Sequence, residues 1–373
     1  MKQLRRFSLP HFFRPVLFAS LFLVTFLFSG CNIPFTDKVV TLPFFEKKPK
    51  IALTRMTEKM LTLDTAHSEV DLQTQVNAAT QRLNSDMHVT LVGDFDASAA
   101  EGAKSTMVLN YTTSLRGFQI TVQADSVTIG DNVYLRFTEL PSLGIFGLPD
   151  LTDQWFMVTP ETLADSSLLS FTDALPFGLS VSPASLYGNV TPEQKQQLNA
   201  VAQTTAFFRF EERLPDEKVG DANTYHYRVS IDQVALQDFV TEAAIILQDI
   251  TEEAAPAEEA PTADENADEE ANADTLLDTL QNIQVNNLEL WIGKKDFYLR
   301  KAAVDFTFQS DVAKTGATDG AAQGLPEIDT HADATFLFSN FGQQVDIVAP
   351  SDAETFEDFL KQRFSVLGGL GGL

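Results

Sequence analysis

Apolar and polar side chains alternate with a period of two over many short stretches of this chain. Such alternation puts one face of a strand in the core and the other in water, which is typical of antiparallel sheets. The clearest stretches are 118–125, 133–137, 225–232 and 304–309, and shorter ones lie at 70–76, 87–92, 107–111 and 287–292. Two hairpins are predicted: 117–129 with 132–138, joined at Gly130-Asp131, and 287–293 with 296–309, joined at Gly293-Lys294-Lys295.

Helical patterns are fewer than strand patterns. Leu53, Met56, Met60 and Leu63 form one stripe at helical spacing, and three further helices are predicted to begin at Thr191-Pro192, at Asp232 and at the capping box Ser351–Glu354. Strands and helices do not alternate regularly, which disfavours a parallel sheet. We therefore expect an α+β fold: a large curved antiparallel sheet, an open half-barrel, with helices packed on its concave face.

Three segments lack the pattern of a packed element. Residues 249–278 hold twelve acidic and no basic side chains, so we expect a disordered acidic insert over 250–278. Residues 313–334 hold three glycines and few apolar side chains, which predicts a long flexible loop, and 367–373 is a Gly-rich tail. The folded domain is expected to span 51–366, and its Pro- and Gly-rich region 138–190 allows a lid or a small second lobe.

The first 30 residues have the pattern of a secretory signal. Four basic residues precede the apolar run 16–28, which is shorter than the roughly 20 residues of a membrane-spanning helix. Small residues then precede Cys31 and resemble a lipoprotein signal, although Phe28 stands where leucine is usual. We expect cleavage before Cys31, acyl chains such as palmitate on that cysteine, and a tether over 31–50. The alternative is a plain signal anchor with an incidental cysteine.

Composition narrows the class of protein. The formal charge is −26, and would be −30 without the four basic residues of the signal, so nucleic acid is not an expected partner. The single cysteine cannot form an internal disulfide or a cysteine-based zinc site. A hydrophobic fraction of 44%, with 30 phenylalanines, predicts a folded chain with an apolar core.

Candidate catalytic chemistry is sparse. None of the five histidines has a partner at metal-ligand spacing, and the chain has no nucleophile elbow, phosphate-binding glycine loop or dinucleotide fingerprint. We therefore expect no catalytic residues, no metal, no cofactor and no enzyme activity; an envelope hydrolase is a minor alternative. Apolar strand faces remain, and a partly closed sheet can enclose an apolar cavity. The candidate lining residues are Phe118, Ile120, Val122, Leu135, Phe137, Tyr227, Val229, Leu290, Phe306 and Phe308.

Three stretches carry a resemblance to a known family: 131–137, the pair 290–294 and 297–301 (Trp-Ile-Gly-Lys and Phe-Tyr-Leu-Arg-Lys), and 338–350, with Phe-Gly and Val-Asp-Ile-Val-Ala-Pro. They resemble the mycobacterial envelope lipoproteins of the LppX/LprG type, which are similar in fold to the LolA/LolB lipoprotein carriers. The resemblance implies an incomplete barrel of antiparallel strands, with helices on its concave side around a cavity for acyl chains. The family has no catalytic signature to transfer.

These observations predict a lipoprotein held outside the cytoplasm by lipidated Cys31, on the outer leaflet of the cytoplasmic membrane or on an outer membrane. Its expected partners are the membrane and a lipid or acylated ligand bound in the apolar cavity. The alternative is a non-enzymatic structural or protein-interaction lipoprotein of the envelope, with the same fold and a filled core. The two interpretations differ in whether the concave side admits a ligand.

Overall fold

The computed structural model describes residues 48–78, 84–98, 102–115, 118–130, 132–140, 152–158, 197, 200–201, 207–254, 283–310, 328–356 and 358. Within these residues, two helices and thirteen strands have defined bounds. The helices are α1 (Pro49–Leu61) and α2 (Gln233–Ala254). The strands are β1 (Thr65–Ala78), β2 (Ser85–Asp96), β3 (Lys104–Leu115), β4 (Phe118–Ile129), β5 (Asn132–Glu139), β6 (Trp155–Val158), β7 (Phe208–Leu214), β8 (Lys218–Val219), β9 (Ala222–Ile231), β10 (Ile283–Gly293), β11 (Leu299–Ser310), β12 (Ile328–Ser339) and β13 (Glu354–Thr355).

One open sheet contains all of these strands, in the order β13-β6-β5-β4-β3-β2-β1-β12-β11-β10-β9-β7, with β8 paired to β9. Neighbouring strands are antiparallel except for β13, which pairs in parallel with β6. The sequence prediction of a large, mostly antiparallel open sheet is confirmed. Both predicted hairpins are present as β4–β5 and β10–β11, and Gly130 takes the positive φ of 56° that the first turn requires.

Burial follows the predicted alternation. On β1, Val70, Leu72, Thr74 and Val76 are buried, whereas the residues between them are partly or fully exposed. We call the buried side of the sheet the concave face and the other side the convex face. Large side chains from β1, β3, β5, β9, β10, β11 and β12 join one hydrophobic cluster on the concave face.

Helix α1 packs on that cluster. Proline opens the helix, and the helical stripe buries Leu53, Met56 and Met60 against the sheet beside β7 and β10. Leu63, also predicted in the stripe, lies beyond the helix end but is buried in the same cluster. Helix α2 begins one residue after the predicted Asp232, whose carboxylate accepts a hydrogen bond from the Ala235 amide at 3.3 Å.

The loop predicted over 313–334 is wrong in its last seven residues. Residues 328–334 belong to β12, which pairs with β1 on one side and β11 on the other. Thr330, Ala332 and Ala334 alternate with polar residues, but threonine and alanine give a weak strand pattern. Small side chains suit this central position because bulky neighbours such as Phe306 and Phe308 cover it.

The helix predicted from the capping box at Ser351 begins later than expected. Glu354 and Thr355 instead pair with Phe156 and Met157 of β6. The first described helical residue after them is Phe356, and Thr355 Oγ1 accepts a hydrogen bond from the Asp358 amide at 3.1 Å. Strand pairing therefore moves the N-cap four residues along the chain.

Several predictions fall outside the described residues. These are the signal, Cys31, nearly all of the tether, the 191–194 helix start, most of the 138–190 region, the tail and most of the acidic insert, of which α2 includes residues 250–254. None of the helices within the described ranges has the length and hydropathy needed to cross a membrane.

On the convex face, Glu289 of β10 is the centre of a polar network. Its carboxylate lies 3.0 Å from His226 Nε2 and 3.2 Å from the Arg228 guanidinium, and it accepts a hydrogen bond from Asn287 at 3.3 Å. Burial opposes ionisation of Glu289, but the hydrogen bonds from Asn287, His226 and Arg228 outweigh it and hold its pKa below the usual value. The His226 ring of β9 also stacks on the Trp291 ring of β10, with ring centres 4.0 Å apart. The network therefore joins side chains of β9 and β10.

Replacing Gly93 with alanine should destabilise the sheet. A Cβ at this position would lie 2.0 Å from the Thr106 carbonyl oxygen, a backbone atom of the paired strand β3. Because the ladder must distort to relieve the clash, we expect Gly93→Ala to lower the free energy of unfolding by about 1–3 kcal/mol. Urea titration measures this. Val108→Ala, at a 44% exposed position of β3, is the control and should cost less; equal losses would contradict the steric explanation.

Replacing Glu289 with glutamine should remove a pH-dependent part of the stability. The folded state lowers the pKa of Glu289 below its ordinary value of 4.5. The contribution of Glu289 to the free energy of unfolding is therefore fully present above pH 4.5 and is lost as the pH falls through the lower pKa of the folded state. We expect wild type to be more stable than Glu289→Gln at pH 7, and the gap to narrow below about pH 4.5. Melting temperatures between pH 7 and 3 measure this gap.

The matched control for that experiment is Glu212→Gln. Glu212 pairs with the same Arg228, but its side chain is 55% exposed, so the pair adds little to stability. A gap between wild type and Glu289→Gln that stays constant from pH 7 to 3 would contradict the assignment.

Candidate functional site

Nine of the ten candidate lining residues lie within or against one apolar layer on the concave face. Eight of them are buried members of the hydrophobic cluster, and Ile120 is partly buried against it. The buried eight are Val122, Leu135, Phe137, Tyr227, Val229, Leu290, Phe306 and Phe308. The pairing of Leu290 on β10 with Tyr227 on β9 shows how residues distant in sequence supply neighbouring side chains.

Phe118 is the exception among the candidates. It has the same parity on β4 as Ile120 and Val122, yet its side chain is 75% exposed. Phe118 is the first residue of the strand and pairs with Leu115, the last residue of β3. Alternation predicts which face of a strand a side chain occupies, but not how far along the strand that face is covered. Phe118 lies on the predicted face but outside the buried layer.

The buried layer carries no formal charge. Among the described residues, the buried polar side chains are seven threonine and serine residues and His226, and no Asp, Glu, Lys or Arg is buried. Several ion pairs of the described strands lie on exposed or half-exposed side chains, such as Arg136 with Asp125 and His67 with Asp94. The buried His226 pairs with Glu289 on the convex face. Separation of this kind leaves the concave face as an apolar surface with hydroxyl groups as its polar atoms.

Sequence reasoning missed those hydroxyls. Thr74, Thr113, Thr330 and Ser85 occupy buried positions in strands whose other inward residues are apolar. Thr113 donates a hydrogen bond to the Asp86 carbonyl at 3.0 Å, and Tyr111 lies beside it with its pKa raised mainly by burial, which a hydrogen bond with Thr113 partly offsets. The alternation along the sequence does indicate these positions. In Leu72-Gln73-Thr74-Gln75-Val76, Thr74 stands where the pattern places an apolar, inward-facing residue.

Two of the family-like motifs meet at one end of the sheet. Tyr298 stacks on Phe341 with ring centres 4.3 Å apart, and the Arg300 guanidinium lies 4.5 Å from the same ring. Together with Asp221 and Asp296 they line a cavity of about 680 Å³ that is open to solvent. The 297–301 and 338–342 stretches therefore form one structural corner where β11 begins and β12 ends.

Among the described residues, one group of possible metal ligands lies on the convex face, formed by residues without metal-ligand spacing along the chain. His331 of β12 lies 3.5 Å from Asp305 and 3.4 Å from Asp333, the residues that face each other across β11 and β12. All three side chains are exposed or half-exposed. The pairing of antiparallel strands brings Asp305 to His331, which spacing along the chain did not indicate.

No protein-family profile matches the chain, and no curated protein matches it.

Solved structures do match. LprF from Mycobacterium bovis has 12% sequence identity and a TM-score of 0.37, over 82% of this chain and 99% of that one. The lipoprotein LppX from Mycobacterium tuberculosis has 10% identity and a TM-score of 0.27, over 81% and 100%. A DUF1329 family protein from Desulfovibrio piger has 9% identity and a TM-score of 0.19, over 80% and 92%.

Proposed function

We propose that this chain is a membrane-anchored extracytoplasmic lipoprotein that binds or carries a lipid or other acylated molecule. The observation that carries the proposal is the apolar concave face, which extends from Phe137 on β5 to Val229 on β9 and holds no buried charged side chain among the described residues. The acyl chains would lie between this face and the helices. The ten candidate residues named from the sequence are proposed as its lining, with Phe118 at the exposed end of β4.

The driving force is removal of hydrocarbon from water. Each buried methylene contributes about 0.8 kcal/mol, so an acyl chain of palmitate length gains roughly 12 kcal/mol before the costs of ordering it. A charged side chain within the layer would oppose this transfer, since desolvation of an unpaired ion is costly. The absence of buried charge among the described residues therefore supports a hydrocarbon ligand.

Anchoring at Cys31 completes the proposed function. Several acyl chains on one residue give stable attachment, whereas a single chain gives only marginal, reversible binding. Helix α1 begins at Pro49, so residues 31–48 are available as the tether between lipid and domain. The protein is proposed to act by binding and transfer and not by catalysis.

A bound lipid should be detectable directly. We expect native mass spectrometry of the mature protein, purified from its own membranes, to show one or more lipids beyond the covalent acyl chains of Cys31, released on denaturation. Ala334→Phe should reduce that increment because the added ring would fill a concave position that is 3% exposed. Thr335→Phe is the matched control on the neighbouring convex position and should retain the lipid. A wild-type preparation that always has the mass of the acylated protein alone would favour the structural lipoprotein with a filled core.

Replacing Cys31 should release the protein from the membrane. We expect Cys31→Ser to abolish incorporation of labelled palmitate and to move the protein from the carbonate-washed membrane pellet to the soluble fraction, because the acylated sulfur is lost. Asn32→Ser leaves the cysteine intact and should stay in the pellet. A Cys31→Ser protein that remains in the washed pellet would instead support an uncleaved signal anchor.

A further inference from the structure

Three hydroxyl groups on the concave face are buried without a partner. Thr74, Thr330 and Ser85 are 2%, 2% and 6% exposed, and their side-chain oxygens make no hydrogen bond with any described residue. Thr113 is a useful contrast, since it is also buried but donates to the Asp86 carbonyl. A fourth unpartnered hydroxyl, that of Thr65, lies at the other end of β1.

The register places Thr74, Thr330 and Ser85 together, and we call them the hydroxyl cluster. Val76 of β1 pairs with Thr330 on one side and with Ser85 on the other, and Thr74 precedes Val76 by two residues on the same face. Thr74 is therefore the diagonal neighbour of both other residues, about 7–8 Å away between Cα atoms. Thr330 and Ser85 lie two strand spacings apart, roughly 10 Å.

Leaving these hydroxyls unpaired is costly. A buried hydroxyl without a hydrogen bond costs about 1–3 kcal/mol, and valine has nearly the shape of threonine without that cost. Most inward positions of the same strands do hold apolar residues, including Leu72, Val76 and Val89. Three buried, unpaired hydroxyls in adjacent strands therefore indicate that their hydrogen-bond partner belongs to a ligand.

The surroundings define the chemistry of that partner. The described concave residues that pair with or flank the hydroxyl cluster include Leu72, Val76, Met87, Phe308 and Ala332, none of them charged. A carboxylate, phosphate or ammonium group placed here would be desolvated without a counter-ion from the described residues. A neutral ester carbonyl accepts a hydrogen bond from a hydroxyl, and a glycerol hydroxyl both donates and accepts. Neutral ester groups therefore fit, and ionised head groups do not.

We infer that the hydroxyl cluster binds the ester and glycerol oxygens of a neutral, ester-linked lipid of the diacylglycerol type. The acyl chains then extend along the apolar part of the concave face, past Leu72, Val304 and Phe336. The inference rests on the proposed lipid-binding function and adds the class of lipid and its orientation. The test needs an ester lipid and a matched ether lipid, since an ether has the same chains but lacks the carbonyl oxygens.

The experiment titrates delipidated full-length protein with dioleoylglycerol and with its di-O-oleyl ether analogue, followed by native mass spectrometry. We expect wild type to bind the ester form about tenfold more tightly than the ether form. The double variant Thr74→Val/Thr330→Val should lose about tenfold in affinity for the ester form and little for the ether form. Its lipid-free thermal stability should equal or exceed that of wild type, because two unpaired hydroxyls are removed.

Thr113→Val is the matched control on the same face. Its hydroxyl already has a protein partner, so this variant should lose thermal stability and keep the preference for the ester lipid. A double variant with unchanged ester preference would overturn the inference while the proposed function stands. Tighter binding of oleate than of either neutral lipid would also overturn it. Failure of wild type to bind any of the three lipids would contradict the proposed function itself.

Discussion

The pairing of β1 with β2 on one side and β12 on the other is the interaction on which the rest of the structure depends. These two ladders join the strands that precede residue 140 to those that follow residue 207. Because side chains alternate between the faces, a slip of one residue in either ladder would turn every apolar side chain of that strand toward water. The long runs of paired residues, twelve along each ladder, hold the register and with it the identity of the concave face.

Separation of charge between the two faces follows from that register. Carboxylates, histidines and guanidinium groups occupy the convex face. The pairs of His67 and His88 are partly exposed there, and the more buried Glu289 is held by its hydrogen bonds with Asn287, His226 and Arg228. The buried layer is left with hydrocarbon and a few hydroxyls. An apolar face suits acyl chains, whereas buried hydroxyls suit a neutral polar group, so one surface can select both the chains and the linkage between them.

Regular elements with strong local patterns were predictable. The α1 stripe of Leu53, Met56 and Met60 and the two hairpins at Gly130 and Gly293 are present in the structure. The failures share one physical cause, which is that contacts distant in sequence outweigh local preference. Strand β12 exists because β1 and β11 pair with both of its sides, although its small residues resemble a loop. Pairing of Glu354 with β6 likewise displaces the helix start predicted at Ser351.

By itself, the sequence determined the fold class, the faces of most strands and the apolar character of the buried layer, because period-two alternation records which side of a strand meets water. Only the tertiary structure decided which side chains come together. It left Phe118 exposed at a strand end and brought Asp305 beside His331. It also gathered Thr74, Thr330 and Ser85 from three strands into one cluster. Such neighbours depend on strand order and register, which are set by pairing across the whole sheet and not by local sequence.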